Sequence, residues 1–228
     1  MFEVKELVSG YGQSEVLHGV SMQAAKGEIV TLLGRNGMGK TTLFKTLMGI
    51  LPARKGEVRV DGAELSKLES FERVARGIAY VPQGRMVFPT LTVEENIRTG
   101  FRRGMTRVPE EIYTLFPALF DMRKRRAGNL SGGQQQQLAI ARALVTEPKV
   151  LLLDEPTEGI QPSIIKDIAR SLKEIRKLKG LTIVVSEQVL SFALEIADRL
   201  LVIDRGRIVH ETPGSSADPQ TIGRYLSV

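Results

Sequence analysis

The sequence predicts an α/β fold: a mixed sheet, with an N-terminal antiparallel β-subdomain and an α-helical insertion. Three observations carry the prediction. The runs 29–33, 78–81, 150–153 and 181–186 are nearly continuous apolar segments, as strands buried on both faces are. The first run enters a glycine-rich turn, Gly34-Arg35-Asn36-Gly37-Met38-Gly39-Lys40-Thr41-Thr42, followed by a helical pattern with Leu43, Leu47 and Ile50 on one face. From about Leu91 to Glu147 the hydrophobic period becomes helical.

Residues 1–33 read as short strands: Phe2-Glu3-Val4, a second from Val16-Leu17 to Val20, and a third from Ile29 to Leu33 after the turn Lys26-Gly27. Tyr11 sits in the loop between the first two. Alone it is a plain loop residue; with a nucleotide site downstream its ring is a candidate platform for adenine. In the turn 34–42, the glycines let backbone N–H groups close around phosphate oxygens where a side chain would block them. The helix start behind it adds partial positive charge. Lys40 is placed to reach the β- and γ-phosphates, and Thr41 to offer its hydroxyl to Mg²⁺. Strand, glycine turn, Lys-Thr and helix together specify a nucleoside triphosphate site.

Further along, residues 56–62 alternate and end in Asp61-Gly62, a hairpin signal. The run Ile78-Ala79-Tyr80-Val81 stops at Pro82 and leaves Gln83 at a strand end, where ligands collect in such sheets. Gln83 is either a strand-end polar residue or a contact to Mg²⁺ or the attacking water. Thr92 with Glu95 reads as an N-cap with its capping-box glutamate, and Pro109-Glu110-Glu111 opens another helix. The basic run Arg123-Lys124-Arg125-Arg126 reads as a solvated helix end. Leu130-Ser131-Gly132-Gly133-Gln134 places a serine N-cap and two glycines before an apolar helical period, a second anion-receptive helix start.

Val150-Leu151-Leu152-Leu153-Asp154-Glu155 ends a buried strand in two carboxylates. Asp154 suits Mg²⁺, and Glu155 is a candidate to polarise a water against the γ-phosphate; the bland alternative is a pair of helix caps. An amphipathic helix over 162–178, the strand 181–186 with Glu187-Gln188 at its end, and a hairpin over 201–209 turning at Arg205-Gly206 follow. The tail 212–228 carries no readable chemistry. The expected division is a helical subdomain at about 91–147, with core and β-subdomain in 1–90 and 148–228.

Composition narrows the function classes. The 228 residues include no cysteine, which excludes disulfides and thiolate metal sites. No apolar run has bilayer length and the first residues lack the form of a signal peptide, so membrane association is expected through partners. The net charge is +6, yet aromatics are only 5% and do not interleave with arginine, so no nucleic acid partner is expected.

Along essentially its whole length the chain resembles the ATP-binding subunit of ABC transporters. Residues 34–42 are similar to the Walker A motif, Gln83 to the Q-loop, residues 130–134 to the LSGGQ signature, and 150–154 to Walker B with Glu155 as the catalytic glutamate. The resemblance implies a P-loop NTPase core that binds ATP and Mg²⁺. Asn36, Gly37, Gly39, Lys40, Thr41 and Thr42 would hold the nucleotide, with Tyr11 under the adenine. Thr41, Gln83 and Asp154 would serve the metal, and Glu155, Gln83 and Gln188 the hydrolysis. It further implies head-to-tail pairing with a second ABC ATPase subunit, as a heterodimer in the transporter or a homodimer in isolation. Ser131, Gly132, Gly133 and Gln134 of one chain would then close on ATP held by the other. Transmembrane permease subunits would seat the pair at the cytoplasmic face of the membrane.

Finer matches point to the branched-chain amino acid and amide importers. The stretches 81–85, 88–89 and 91–96 look like their smaller ATPase subunit. Residues 109–113 and 115–117, the four glutamines after Gly133 and the stretch 155–162 look most like the urea-transporter version. The expected function is therefore the ATPase of an importer for a small polar nitrogenous solute, urea, with a branched-chain amino acid importer as the alternative. A soluble ABC ATPase acting on nucleic acid or ribosomes is the remote one. Two positions depart from the general family: Gln188 stands where a switch histidine is usual, and Gln161 where the D-loop has aspartate.

Overall fold

The computed structural model describes residues 1–226. The chain starts with β1 (Phe2–Ser9), β2 (Leu17–Ala24), β3 (Ile29–Leu33), α1 (Lys40–Leu47), β4 (Lys55–Val60), β5 (Ala63–Glu64), α2 (Ser70–Ala75) and β6 (Ile78–Val81). The helices α3 (Val93–Arg98), α4 (Glu110–Leu115), α5 (Pro117–Asp121) and α6 (Gly132–Leu144) come next. It continues through β7 (Val150–Asp154), α7 (Pro162–Lys179), β8 (Thr182–Glu187), α8 (Leu190–Ile196), β9 (Arg199–Asp204), β10 (Arg207–Pro213) and α9 (Pro219–Leu226).

Two sheets result. The first is antiparallel, in the order β2-β1-β4-β5. Phe2, Val4 and Leu7 of β1 are all buried although the step from Val4 to Leu7 is odd. A bulge absorbs the extra residue: pairing slips there and Glu6 takes φ 46°. Both residues of the Asp61-Gly62 turn have positive φ, 49° and 81°, as a two-residue hairpin turn requires.

The second sheet has the order β10-β9-β3-β8-β7-β6, parallel from β9 to β6 with β10 antiparallel at the edge. Every residue of β3, β7 and β8 is buried, which explains their unbroken apolar sequences. One face packs against α1, with Leu43, Phe44 and Leu47 on Leu32, Leu152 and Val184 and against the first sheet. The other carries α6, α7 and the helical insertion, with Leu138, Ile168 and Leu172 against Leu151, Leu153 and Ile183. Parallel order and register bring the C-terminal ends of β3, β8, β7 and β6 to one rim: Leu33 pairs with Glu187, Asp154 with Ser186, and Val81 with Leu153.

Several expectations need correction. Ile50 is not on the buried face of α1; the helix ends before Gly49, which turns at φ 73°, and Ile50 is 54% exposed. The segment from 99 to 109 between α3 and α4 is not helical despite the apolar period around it. The tail, whose sequence carries no readable chemistry and to which it assigns no element, forms a short 3-10 turn and α9, anchored by buried Ile222; its last two residues lie outside the described ones. The basic run 123–126 does follow the end of α5 and is largely solvated.

Candidate active site

At that rim the turn after β3 needs its glycines for different reasons. A Cβ on Gly34 would lie 2.7 Å from the Ile203 carbonyl oxygen. Gly37 (φ 80°) faces open space, and Gly39 (φ 106°) caps α1 in a conformation that side chains rarely adopt. As at every helix start, the first N–H groups of α1 have no carbonyl of the preceding turn to bond.

Lys40 is 3% exposed. Its Nζ donates to the carbonyls of Gly34 (2.6 Å) and Arg35 (3.0 Å) and pairs with Glu155 Oε1 at 3.0 Å. Removing two charges from water is tolerable here because the ammonium has three acceptors. Glu155 follows β7 in a left-handed conformation, φ 46°, and its N–H donates to the Ser186 carbonyl at 3.0 Å. That turn directs the carboxylate to Lys40. Its Oε2 faces the Nε2 groups of Gln83 at 3.5 Å and of Gln188 at 3.4 Å. Three residues, from the start of α1 and from the loops after β6 and β8, thus meet on one carboxylate.

Asp154 is 1% exposed; Oδ2 accepts from the Tyr80 hydroxyl at 3.1 Å and Oδ1 from the Ser186 hydroxyl. Burial, helped by the neighbouring Asp154 charge, pushes the Tyr80 hydroxyl well above its ordinary pKa, so it stays protonated and a donor. Sequence reasoning missed Tyr80 and Ser186. The available signal was a polar tip inside each apolar run, which buried strands keep only when it has a partner.

A cleft of about 310 Å³ opens in front of these groups, lined by Val16, Asn36, Gly37, Gly39, Lys40, Thr41, Thr42, Gln83 and Glu155. Tyr11 and the segment Ser131 to Gln134 are not among its walls. Tyr11 is 49% exposed in the loop before β2. Ser131 caps α6 reciprocally: its Oγ accepts from the Gln134 N–H, and the Gln134 Oε1 accepts from the Ser131 N–H. A Cβ on Gly133 would come within 2.2 Å of Ile164 Cγ2, so that glycine lets α6 pack on the start of α7. Gln161 is the exposed N-cap residue of α7. Among the described residues, no three His, Asp or Glu side chains cluster as a metal site.

The family described as ABC transporter matches residues 17–158. The chain belongs to it. Its fold is the ABC ATPase fold, and the chain is an ABC-type ATPase. It is 42% identical over 236 residues to BraG of Pseudomonas aeruginosa, a high-affinity branched-chain amino acid transport ATP-binding protein, covering 99% of both chains. A protein of Archaeoglobus fulgidus named a probable branched-chain amino acid transport ATP-binding protein, LivF, is 37% identical over 212 residues, covering 91% of this chain and 90% of its own. The structure of a nucleotide-free ATP-binding cassette from an ABC transporter superposes with a TM-score of 0.87 at 28% identity, covering 100% of this chain and 99% of that one. A dimeric bacterial ABC transporter cassette superposes with a TM-score of 0.79 at 27% identity, covering 93% and 98%. Among the described residues of this ABC ATPase, no helix is long and apolar enough to cross a membrane.

Proposed function

We propose that the chain binds ATP in the cleft before Lys40 and hydrolyses it with Glu155 as general base. The observation that carries this reading is the meeting of Lys40, Gln83 and Gln188 on the Glu155 carboxylate beside Asp154. Asn36, Gly37, Gly39 and the first residues of α1 hold the phosphates through backbone N–H groups. Lys40 leaves Glu155 for the β- and γ-phosphates. The freed carboxylate takes the proton of a water as its oxygen attacks the γ-phosphorus; the bond from that phosphorus to the β,γ-bridging oxygen breaks, and ADP and inorganic phosphate leave. Gln188 and Gln83 orient that water, and Tyr11 lies under the adenine. Mg²⁺ fits the donors, since Thr41, Gln83 and Asp154 all offer hard oxygen. When bound it neutralises charge on the β- and γ-phosphates.

The cleft is one half of a site. In the ATP-bound state a second ABC ATPase subunit pairs head to tail, its signature helix closing on this cleft while Ser131, Gly132, Gly133 and Gln134 close on the partner's ATP. That a cassette of similar fold is dimeric supports pairing as such. The helical unit at about 91–147 and the Gln83 loop meet transmembrane permease subunits, which hold the pair at the cytoplasmic face.

For the solute we favour urea, on the resemblance of residues 109–113, 115–117, 134–137 and 155–162 to the urea-transporter subunit. The identity with BraG favours the second reading, a branched-chain amino acid. Both are tested in the transporter reconstituted with its co-encoded binding protein and permeases. ATPase stimulation by urea and none by leucine is expected; stimulation by leucine alone overturns the urea reading.

A further inference from the structure

Glu187, the last residue of β8, is 1% exposed and, among the described residues, has no cation paired with it. Four donors surround its carboxylate instead. Oε1 accepts from the Thr157 N–H (3.2 Å) and hydroxyl (2.6 Å). Oε2 accepts from the N–H groups of Gln188 (2.9 Å) and Val189 (3.1 Å). Its own carbonyl accepts from the N–H of Gly34, the first residue of the glycine-rich turn (3.2 Å). Thr157 lies two residues past Glu155, and Gln188 is the residue whose side chain faces Glu155. One buried carboxylate therefore ties together both loops that carry the hydrolytic groups.

We propose that Glu187 is a positioning residue for hydrolysis: it clamps the Gln188 loop to the segment after Glu155, and so sets Gln188 against the attacking water. The inference rests on the proposed roles of Glu155 and Gln188. Burying a charge without a counter-charge is costly, and backbone N–H donors are the compensation available. A neutral amide cannot replace it. All four partners donate, an N–H and an O–H to Oε1 and two N–H groups to Oε2, so the NH₂ of a glutamine would confront an N–H whichever way it turned.

The test compares Glu187→Gln, Thr157→Val, Gln188→Ala and the double variant Glu187→Gln/Gln188→Ala, as full chains assembled with their partner subunits. Nucleotide affinity is measured by titration with a fluorescent ATP analogue, and chemistry by single-turnover hydrolysis. Glu187→Gln is expected to slow hydrolysis at least tenfold with affinity within about twofold of the parent. Thr157→Val, which leaves the carboxylate in place and removes one donor, should slow it about threefold. The double variant should be no slower than the slower single one, since a displaced loop has already lost Gln188. Parental hydrolysis by Glu187→Gln, or effects that multiply in the double variant, overturns the clamp. Loss of affinity equal to the loss of rate does so too, because it marks a general structural role. If Gln188→Ala alone is as fast as the parent, the reading of Gln188 fails, and the route assigned to Glu187 falls with it. Should Glu187→Gln not fold, Thr157→Val decides: an unchanged rate rejects the clamp.

Discussion

At the scale of single residues, the Lys40–Glu155 pair sets a competition. ATP must draw the Lys40 ammonium off a buried carboxylate that holds it at 3.0 Å. Glu155→Gln removes the competing charge and also the base. The variant is expected to bind ATP at least as tightly as the parent while hydrolysis falls on the order of 100-fold. Weaker binding in a nucleotide titration would show that Glu155 supports the site rather than opposing it. Lys40→Ala should have the other signature, an affinity loss of roughly tenfold or more, since a hydrogen bond to a charged group contributes about 1.5–3 kcal/mol. Residue type and place made Lys40, Asp154 and Glu155 legible in the sequence as candidates, and the structure puts all three at one rim. Their mutual contact was not legible. It depends on Glu155 turning back at φ 46°, a conformation that no residue-type pattern announces. Tyr80 and Ser186 were hidden for a related reason: they reach Asp154 through β6–β7–β8 register, a property of pairing rather than of any one segment.

At the scale of elements, the buried strands and the capped helices could be read directly, since each carries its own signal. Thr92 with Glu95 and Ser131 with Gln134 form the reciprocal bonds that their spacing implies. What the helix period could not show is how α6 meets α7. Gly133 sits where any Cβ would strike Ile164. Gly133→Ala is therefore expected to destabilise the chain by about 1–3 kcal/mol through overpacking. Denaturant unfolding measures it, and Ile164→Ala in the same chain should recover part of the loss by removing the struck methyl; no recovery would place the strain elsewhere. Another element escaped the sequence altogether. Gly84, Arg85 and Met86 all have positive φ (80°, 67° and 46°), an arrangement costly for the two non-glycine residues. Two arginines hold it. Arg142 of α6 donates to the Met86 carbonyl at 2.9 Å, and Arg85 donates to the Glu158 carbonyl at 2.9 Å. The loop that begins at Gln83 is thereby tied both to the signature helix and to the segment after Glu155.

At the scale of the molecule, the order of motifs along the chain was enough to place a mixed sheet whose parallel strands share a ligand rim. It also indicated that two anion-receptive helix starts exist. The structure separates them: Lys40 and its loop line the cleft, and Ser131 to Gln134 do not. A single chain therefore has no evident use for the second helix start in its own cleft, which is the physical basis for pairing it with another chain. Pairing can be tested through Ser131. Ser131→Arg leaves the Lys40 cleft untouched, so nucleotide affinity of the isolated chain should stay within about twofold of the parent. In the proposed pairing the added guanidinium would occupy the space in front of α6 that the partner's γ-phosphate enters, and the cap contributed by the serine hydroxyl, worth about 1 kcal/mol, is lost with it. Ser131→Ala controls for the cap alone. In a Glu155→Gln background, where ATP persists, the parent should shift to dimer size on gel filtration with ATP, Ser131→Ala should shift nearly as far, and Ser131→Arg should remain monomeric. An ATP-dependent dimer of Ser131→Arg would mean that the helix start of α6 does not face the partner's nucleotide, and the head-to-tail arrangement would have to be abandoned.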